Sequence, residues 1–184
     1  CYRYWPELSS DCRLMTKLLR DLTDYSMSDQ LTKQRSDLCN LLRRAYLSCL
    51  PLTEGTNKTL TYTSRVSCAY MPLDSPKMME ALLNLIVNAL DAVSDNGSVQ
   101  IILTKSNEQF VVSIIDDGCG IAPKQLLTIF HPFTTTKPDG TGLGLPVAKR
   151  IIEGHGGHIR VSSAPNQGAT FTFLLPCSFS SDRK

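Results

Sequence analysis

Two asparagines one helical turn apart, Asn84 and Asn88, stand upstream of Asp116, which closes the apolar run Phe110-Val111-Val112-Ser113-Ile114-Ile115 and is followed by Gly118 and Gly120. Further along come Thr136 and Lys137, then Gly140-Thr141-Gly142-Leu143-Gly144-Leu145. Neutral asparagine oxygens can ligate Mg2+ while their amides donate to phosphate oxygens. A carboxylate at a strand end, with glycine beside it, lets a flat base lie against the backbone and accepts the exocyclic amine of adenine, which excludes guanine. Glycines that open a helix aim N–H groups and the positive end of the helix dipole at an anion. The hydroxyl of Thr136 and the ammonium of Lys137 could complete a triphosphate site. Together these groups suit a magnesium-bound ATP.

Two other phosphate-binding loops are excluded. The P-loop spacing Gly-x-x-x-x-Gly-Lys-Ser/Thr does not occur. A dinucleotide fingerprint should follow a strand directly and carry a third glycine. Here Gly140 follows the polar run Phe133-Thr134-Thr135-Thr136-Lys137-Pro138-Asp139, and Leu145 stands at the third position. Other prominent residues have plainer readings. Asp117 reads as a turn cap, His155 within Gly154-His155-Gly156-Gly157 as a turn residue, and Phe130 and Phe133 as apolar anchors of the loop. Glu80 and Asp91 divide between solvated helix surface and the site.

The elements that must position these groups are legible from periodicity. From Pro76 to Val93 each residue turns a helix by roughly 100°, which places Leu82, Leu85, Ile86, Ala89 and Val93 on one side and Glu80, Asn84, Asn88 and Asp91 on the other. Asp74, Ser75 and Pro76 supply its cap and first turn, and Asp95-Asn96-Gly97 ends it. Val99–Lys105 and Gln109–Asp116 read as a hairpin. Leu145 to Glu153 reads as a helix with Pro146 in its first turn and Gly154 at its end. His158–Ser163 and Ala169–Leu175 read as closing strands.

Upstream, a helix carries Leu38, Leu41, Leu42, Ala45, Tyr46 and Cys49 on one side and stops at Pro51, and Thr59 to Val66 reads as a strand. Residues 28–36 are polar and read as a linker. Met15, Leu18, Leu22 and Tyr25 fall at spacings of a helical bundle seam, or of a helix packed on its own domain. The fold class is α/β, with helices laid against a mixed β-sheet.

Length and composition agree. The 184 residues fit one domain with an appendage. A net charge of +2, with scattered basic residues, points to no nucleic-acid partner. The longest apolar stretch, Ala81 to Val93, is broken by Asn84, Asn88 and Asp91, so no membrane span is expected. Seven cysteines without a Cys-x-x-Cys pair argue for reduced thiols in a cytoplasmic protein rather than a disulfide framework or zinc site. A chain that opens at Cys1, without Met or signal peptide, is read as a fragment.

In this order the motifs resemble the catalytic ATP-binding domain of sensor histidine kinases, in the superfamily that also holds gyrase B, Hsp90 and MutL. Asn84-Leu85-Ile86-Val87-Asn88-Ala89 is similar to the family's N box and Asp116-x-Gly118-x-Gly120 to its G1 box. Phe130-His131-Pro132-Phe133-Thr134-Thr135-Thr136-Lys137 is similar to the F box, and Gly140 to Leu145 to the G2 box. The short Thr-Thr-Lys segment is similar to kinases of the nitrogen-regulation and sporulation type. The resemblance implies a two-layer Bergerat ATP-binding fold over residues 37–178, preceded by a remnant of a dimerisation and histidine-phosphotransfer helix at 1–27 and the linker at 28–36, with a tail at 179–184.

It also implies roles. Asn88 would hold Mg2+, Asp116 would read adenine, Thr170 would support the adenine pocket, and residues 134–144 would form a short mobile lid. Nucleotide contacts are expected from Asn84, Asn88, Asp116, Gly118, Gly120, Ile121, Thr136, Lys137, Gly140, Thr141, Gly142, Leu143, Gly144, Leu145 and Thr170, with Asn84 and Lys137 in catalytic roles. The implied partners are the protein's own dimerisation and phosphotransfer domain, in a homodimeric parent that could be anchored in the inner membrane, and a response regulator receiver.

Three positions stand out. No His precedes His131, so this stretch would donate phosphate without carrying its own acceptor. Asp91 stands where many relatives carry a basic residue. Asn84 replaces the Glu with which hydrolysing relatives activate water, and Asn cannot accept a proton at neutral pH. Poor hydrolysis beside competent phosphotransfer is the expectation. A non-catalytic nucleotide-binding module and a hydrolysing conformational switch remain as alternatives at this point.

Overall fold

The computed structural model describes residues 31–137 and 140–177. The expected dimerisation helix, the first residues of the linker and the tail lie outside the described residues.

The described chain opens with β1 (Gln34–Asp37) and continues into helix α1 (Leu38–Cys49). Asp37 caps α1 by accepting the Cys39 N–H at 3.0 Å, and its Oδ1 also takes the N–H of Ala69 at 2.9 Å. Leu38, Leu41, Leu42, Ala45 and Cys49 form the buried side. A 3-10 turn over Leu50–Thr53, with Pro51 in its first positions, ends the helix. β2 (Thr59–Ser64) and β3 (Tyr70–Leu73) lead to the long helix α2 (Ser75–Ala92). Then come the hairpin β4 (Ser98–Ser106) and β5 (Gln109–Asp116), the short helix α3 (Pro123–Leu126) and helix α4 (Gly144–Gly154). β6 (His158–Ser163) and β7 (Ala169–Pro176) close the described chain.

Five strands form one sheet in the order β2-β4-β5-β7-β6. β2 runs parallel to β4 and every other neighbour is antiparallel, so the sheet is mixed. Burial alternates strictly along β5 and β7, and the paired residues Phe110/Leu175, Val112/Phe173, Ile114/Phe171 and Asp116/Ala169 share the buried face. Against that face lie α2 and α4, with α1 beside α2. Leu82, Leu85, Ile86 and Ala89 of α2 meet Ile101, Leu103, Ile114, Phe171 and Phe173 in one core. Each of these leucine, isoleucine and phenylalanine side chains contributes about 1.5–3 kcal/mol on leaving water. The result is a two-layer α/β sandwich.

Two expectations shift. Gln34–Ser36, read as linker, are strand residues, because their backbone pairs antiparallel with Met71–Leu73 in a separate two-stranded sheet. The strand expected to reach Val66 stops at Ser64, whose hydroxyl donates to the Val66 carbonyl at 2.7 Å and turns the chain.

Candidate functional site

α2 presents the first part of the site. Asp74 caps it by accepting the Lys77 N–H at 3.1 Å, and Pro76 occupies its first turn. Burial of the apolar stripe leaves Asn84, Asn88 and Asp91 on the opposite face. Lys137 arrives from the loop before the glycines and donates to Asn88 Oδ1 at 3.1 Å and to Asp91 Oδ2 at 2.8 Å. Asn84 makes no hydrogen bond among the described residues and lies against the start of α4, where a Cβ added to Gly144 would come within 3.4 Å of Asn84 Oδ1. The N-terminus of α4, with its free N–H groups and dipole, therefore opens beside the asparagine face.

Asp116 supplies the second part. It is 5% exposed at the end of β5. Its Oδ1 accepts the N–H of Gly118 at 3.0 Å and of Ala169 at 3.1 Å, and its Oδ2 has no hydrogen-bond partner among the described residues. Burial pushes the carboxyl above its ordinary range, while the two backbone N–H groups pull the other way. Gly118 must be glycine for close packing, because a Cβ there would strike the carbonyl of Ala92 at the end of α2. That contact locks the Asp116 turn against the helix that carries the asparagines. Asp117 points elsewhere and accepts both the N–H and the hydroxyl of Ser98, at 2.8 and 2.7 Å. It ties the end of β5 to the first residue of β4 rather than capping its own turn.

The loop between β5 and α4 differs in detail from the sequence reading. Phe130 is anchored, edge-on to Phe171 with ring centroids 6.5 Å apart. Phe133 is not: it is 62% exposed and adopts a φ of 64°. The loop is held there by backbone instead, the Phe133 N–H donating to the Gly142 carbonyl at 3.0 Å. Gly142 has a φ of 67°, and a Cβ on it would meet the Phe133 backbone at 2.5 Å, so only glycine fits. Thr141 and Leu143 are buried, Gly140 and Leu145 are half-buried, and Thr136 is exposed with no side-chain hydrogen bond among the described residues. Ile121 is half-buried, its N–H donating to Ser163 Oγ at 2.8 Å.

One expected residue sits on the wrong face. Thr170 pairs with Ile115 and Ser162 on the side of the sheet away from the helices, because side chains alternate along β7. The neighbour that reaches Asp116 is Ala169, through its N–H. A main-chain donor leaves no mark in residue type, so no sequence signal pointed to it.

His155 is a second residue whose role the sequence concealed. It is 3% exposed, and its Nε2 accepts the Asp74 N–H at 2.9 Å. Nδ1 therefore carries the proton, which it gives to the Ile151 carbonyl at 2.7 Å. This neutral imidazole joins the end of α4 to the start of α2. Burial lowers its pKa, and the Ile151 carbonyl opposes that shift.

These groups fit a magnesium nucleotide. One free carboxylate oxygen stands beside glycine backbone, neutral amide oxygens share a helix face with an ammonium, and a helix N-terminus opens next to them. Among the described residues no cluster of three His, Cys, Asp or Glu side chains could hold a metal, and no helix is long and apolar enough to cross a membrane.

Residues 73–178 match the model of the histidine kinase-, DNA gyrase B-, and HSP90-like ATPases. The sensor histidine kinase ZraS of Salmonella typhimurium is 32% identical over 170 residues, covering 92% of this chain and 37% of ZraS. This chain thus spans little more than a third of that relative. The nucleotide-free catalytic domain of the histidine kinase ThkA superposes with a TM-score of 0.74 at 29% identity, covering 80% of this chain and 97% of that domain. Full-length ShkA, solved with AMPPNP, gives a TM-score of 0.80 at 25% identity, over 88% of this chain and 35% of ShkA.

Proposed function

Because the chain belongs to the family of histidine kinase-, DNA gyrase B- and HSP90-like ATPases, we propose that it is the catalytic ATP-binding part of a two-component sensor histidine kinase. Its substrate is magnesium ATP and its acceptor a histidine on a dimerisation domain, from which the phosphoryl group passes to a response regulator. The likeness to ZraS and to ShkA with its AMPPNP supports this reading. So does the juxtaposition of Asn88, Lys137 and the α4 N-terminus on one side with the half-committed Asp116 carboxylate on the other. The catalytic part works on the cytoplasmic side, where ATP is supplied.

When bound, magnesium ATP supplies the transferable phosphoryl group. Asp116 Oδ2 would accept the exocyclic amine of adenine, and Asn88 Oδ1 would hold the metal. Lys137 and the N–H groups that open α4 neutralise phosphate charge. Asn84 faces the same space but takes no proton at neutral pH, so no water is activated there. An imidazole nucleophile needs no such base. The asparagine in this place is the single observation that favours transfer over a hydrolysing switch.

Radiolabelled γ-phosphate, followed both to free phosphate and to a supplied dimerisation domain carrying its histidine, tests the proposal. The chain should label the acceptor, hydrolyse little ATP and keep no phosphohistidine of its own. Asn84→Glu should raise hydrolysis and lower transfer. Rapid wild-type hydrolysis with no transfer would establish a switch ATPase instead, and nucleotide binding with neither activity a regulatory module.

A further inference from the structure

Asp91 has no part in the chemistry just described. It lies three residues beyond Asn88 on α2, so the two side chains share a face. Lys137, from a segment more than 40 residues later in the chain, gives one ammonium to both of them. That ammonium occupies Asn88 Oδ1, the oxygen a divalent cation would need. Mg2+ binds oxygen at about 2.0–2.1 Å, and two cations on one amide oxygen repel each other. Lysine and metal therefore use the oxygen in turn.

The contact is also anchored at its base. Thr135 Oγ1 accepts the Lys137 N–H at 3.0 Å, which fixes the backbone from which the side chain reaches. The Lys137 and Asp91 side chains are 41% and 52% exposed. Water screens such a pair, so its grip is weak and easily exchanged. A weak grip is what a reversible hold requires.

We propose that Asp91 is a positioning residue that parks Lys137 on the Asn88 oxygen until a divalent cation displaces it. This deepens the magnesium ATP reading and rests on it. The displaced lysine stays tethered within reach of the phosphate side of the site, so metal entry and delivery of Lys137 become one event. Asp91 thereby raises the magnesium concentration at which nucleotide binding engages. An acidic residue here acts on the lid lysine, where a basic one would act on phosphate directly.

Two measurements on the 184-residue chain test this. In the absence of nucleotide, millisecond amide exchange at Thr134 and Lys137, whose N–H groups are both hydrogen-bonded, should quicken about two- to fivefold in Asp91→Asn. Lys137→Gln should quicken it equally, and the double variant no further. Unchanged exchange in Asp91→Asn overturns the proposal, whatever the nucleotide data show.

Calorimetry with AMPPNP over a magnesium series supplies the second arm. The half-saturating magnesium concentration should fall about two- to fivefold in Asp91→Asn, and Asp91→Asn should leave it unmoved in a Lys137→Gln background. The same fall in both backgrounds would mean that Asp91 acts on metal or phosphate directly, which overturns the proposal while leaving the nucleotide reading intact. Failure of the wild-type chain to bind AMPPNP at any magnesium concentration would overturn the nucleotide reading itself, and the competition with it.

Discussion

At the scale of single residues, Asp116 commits one carboxylate oxygen to the fold and keeps the other for the ligand proposed above. Oδ1 is committed to the N–H groups of Gly118 and Ala169, which leaves Oδ2 for a donor from outside. Asp116→Asn cannot serve both sides, because the amide must turn its NH2 either on the backbone donors or on the adenine amine. The substitution should weaken ATP binding by about 1–3 kcal/mol, the cost of one mismatched buried hydrogen bond. Calorimetry comparing ATP with GTP on both chains checks it, and the wild type should prefer ATP. The sequence reveals Asp116 because a charged residue ending an apolar strand is unusual in itself. It conceals Ala169, whose contribution is a main-chain N–H. The reading of Thr170 failed for the complementary reason: a hydroxyl draws attention, yet strand alternation turns it away from the helices.

At the scale of elements, the asparagine face of α2 follows directly from a period of 3.6 residues, and both its cap and its apolar side stand where that period puts them. β1 escaped notice because its four residues are all polar, and β3 because four residues with a proline among them are too few to make the alternation of buried Met71 and Leu73 legible. His155 was hidden by distance, since its partner Asp74 lies 81 residues away and only the packed fold brings them together. His155→Ala should cost about 1–3 kcal/mol by leaving the Asp74 N–H without its acceptor. The same residue sets a pH dependence. Its pKa in the folded chain lies below the ordinary 6.5, through burial first and then Lys33, with the Ile151 carbonyl and Asp74 opposing. Below about pH 6.5 the unfolded chain therefore binds the proton first. The stability His155 contributes is complete above that value and is lost as pH falls toward the lowered one. Urea unfolding of the two chains at pH 7.5, 6.5 and 5.5 should show their difference shrinking on acidification.

At the scale of the whole molecule, the site is a seam between layers. The Asp116 side comes from the sheet, the Asn84 and Asn88 side from α2, and the Gly118 contact with Ala92 pins one to the other. A ligand spanning both should stabilise the entire domain. ATP with magnesium at a hundred times its dissociation constant should add about 2.7 kcal/mol, read as a rise in melting temperature that GTP does not match at equal concentration. The same arrangement bears on how the protein is made. One of the two N–H groups on Asp116 comes from a residue two positions later in the chain, the other from one 53 positions later. The β4–β5 hairpin can close as soon as its own residues exist, but β5 acquires its second neighbour only when β7 returns to it. A nascent chain halted before Ala169 would hold every asparagine and glycine named above and still lack the ordered carboxylate. The order of that carboxylate thus waits on the return of β7, and nucleotide binding should appear in a growing chain only once Ala169 has paired with Asp116.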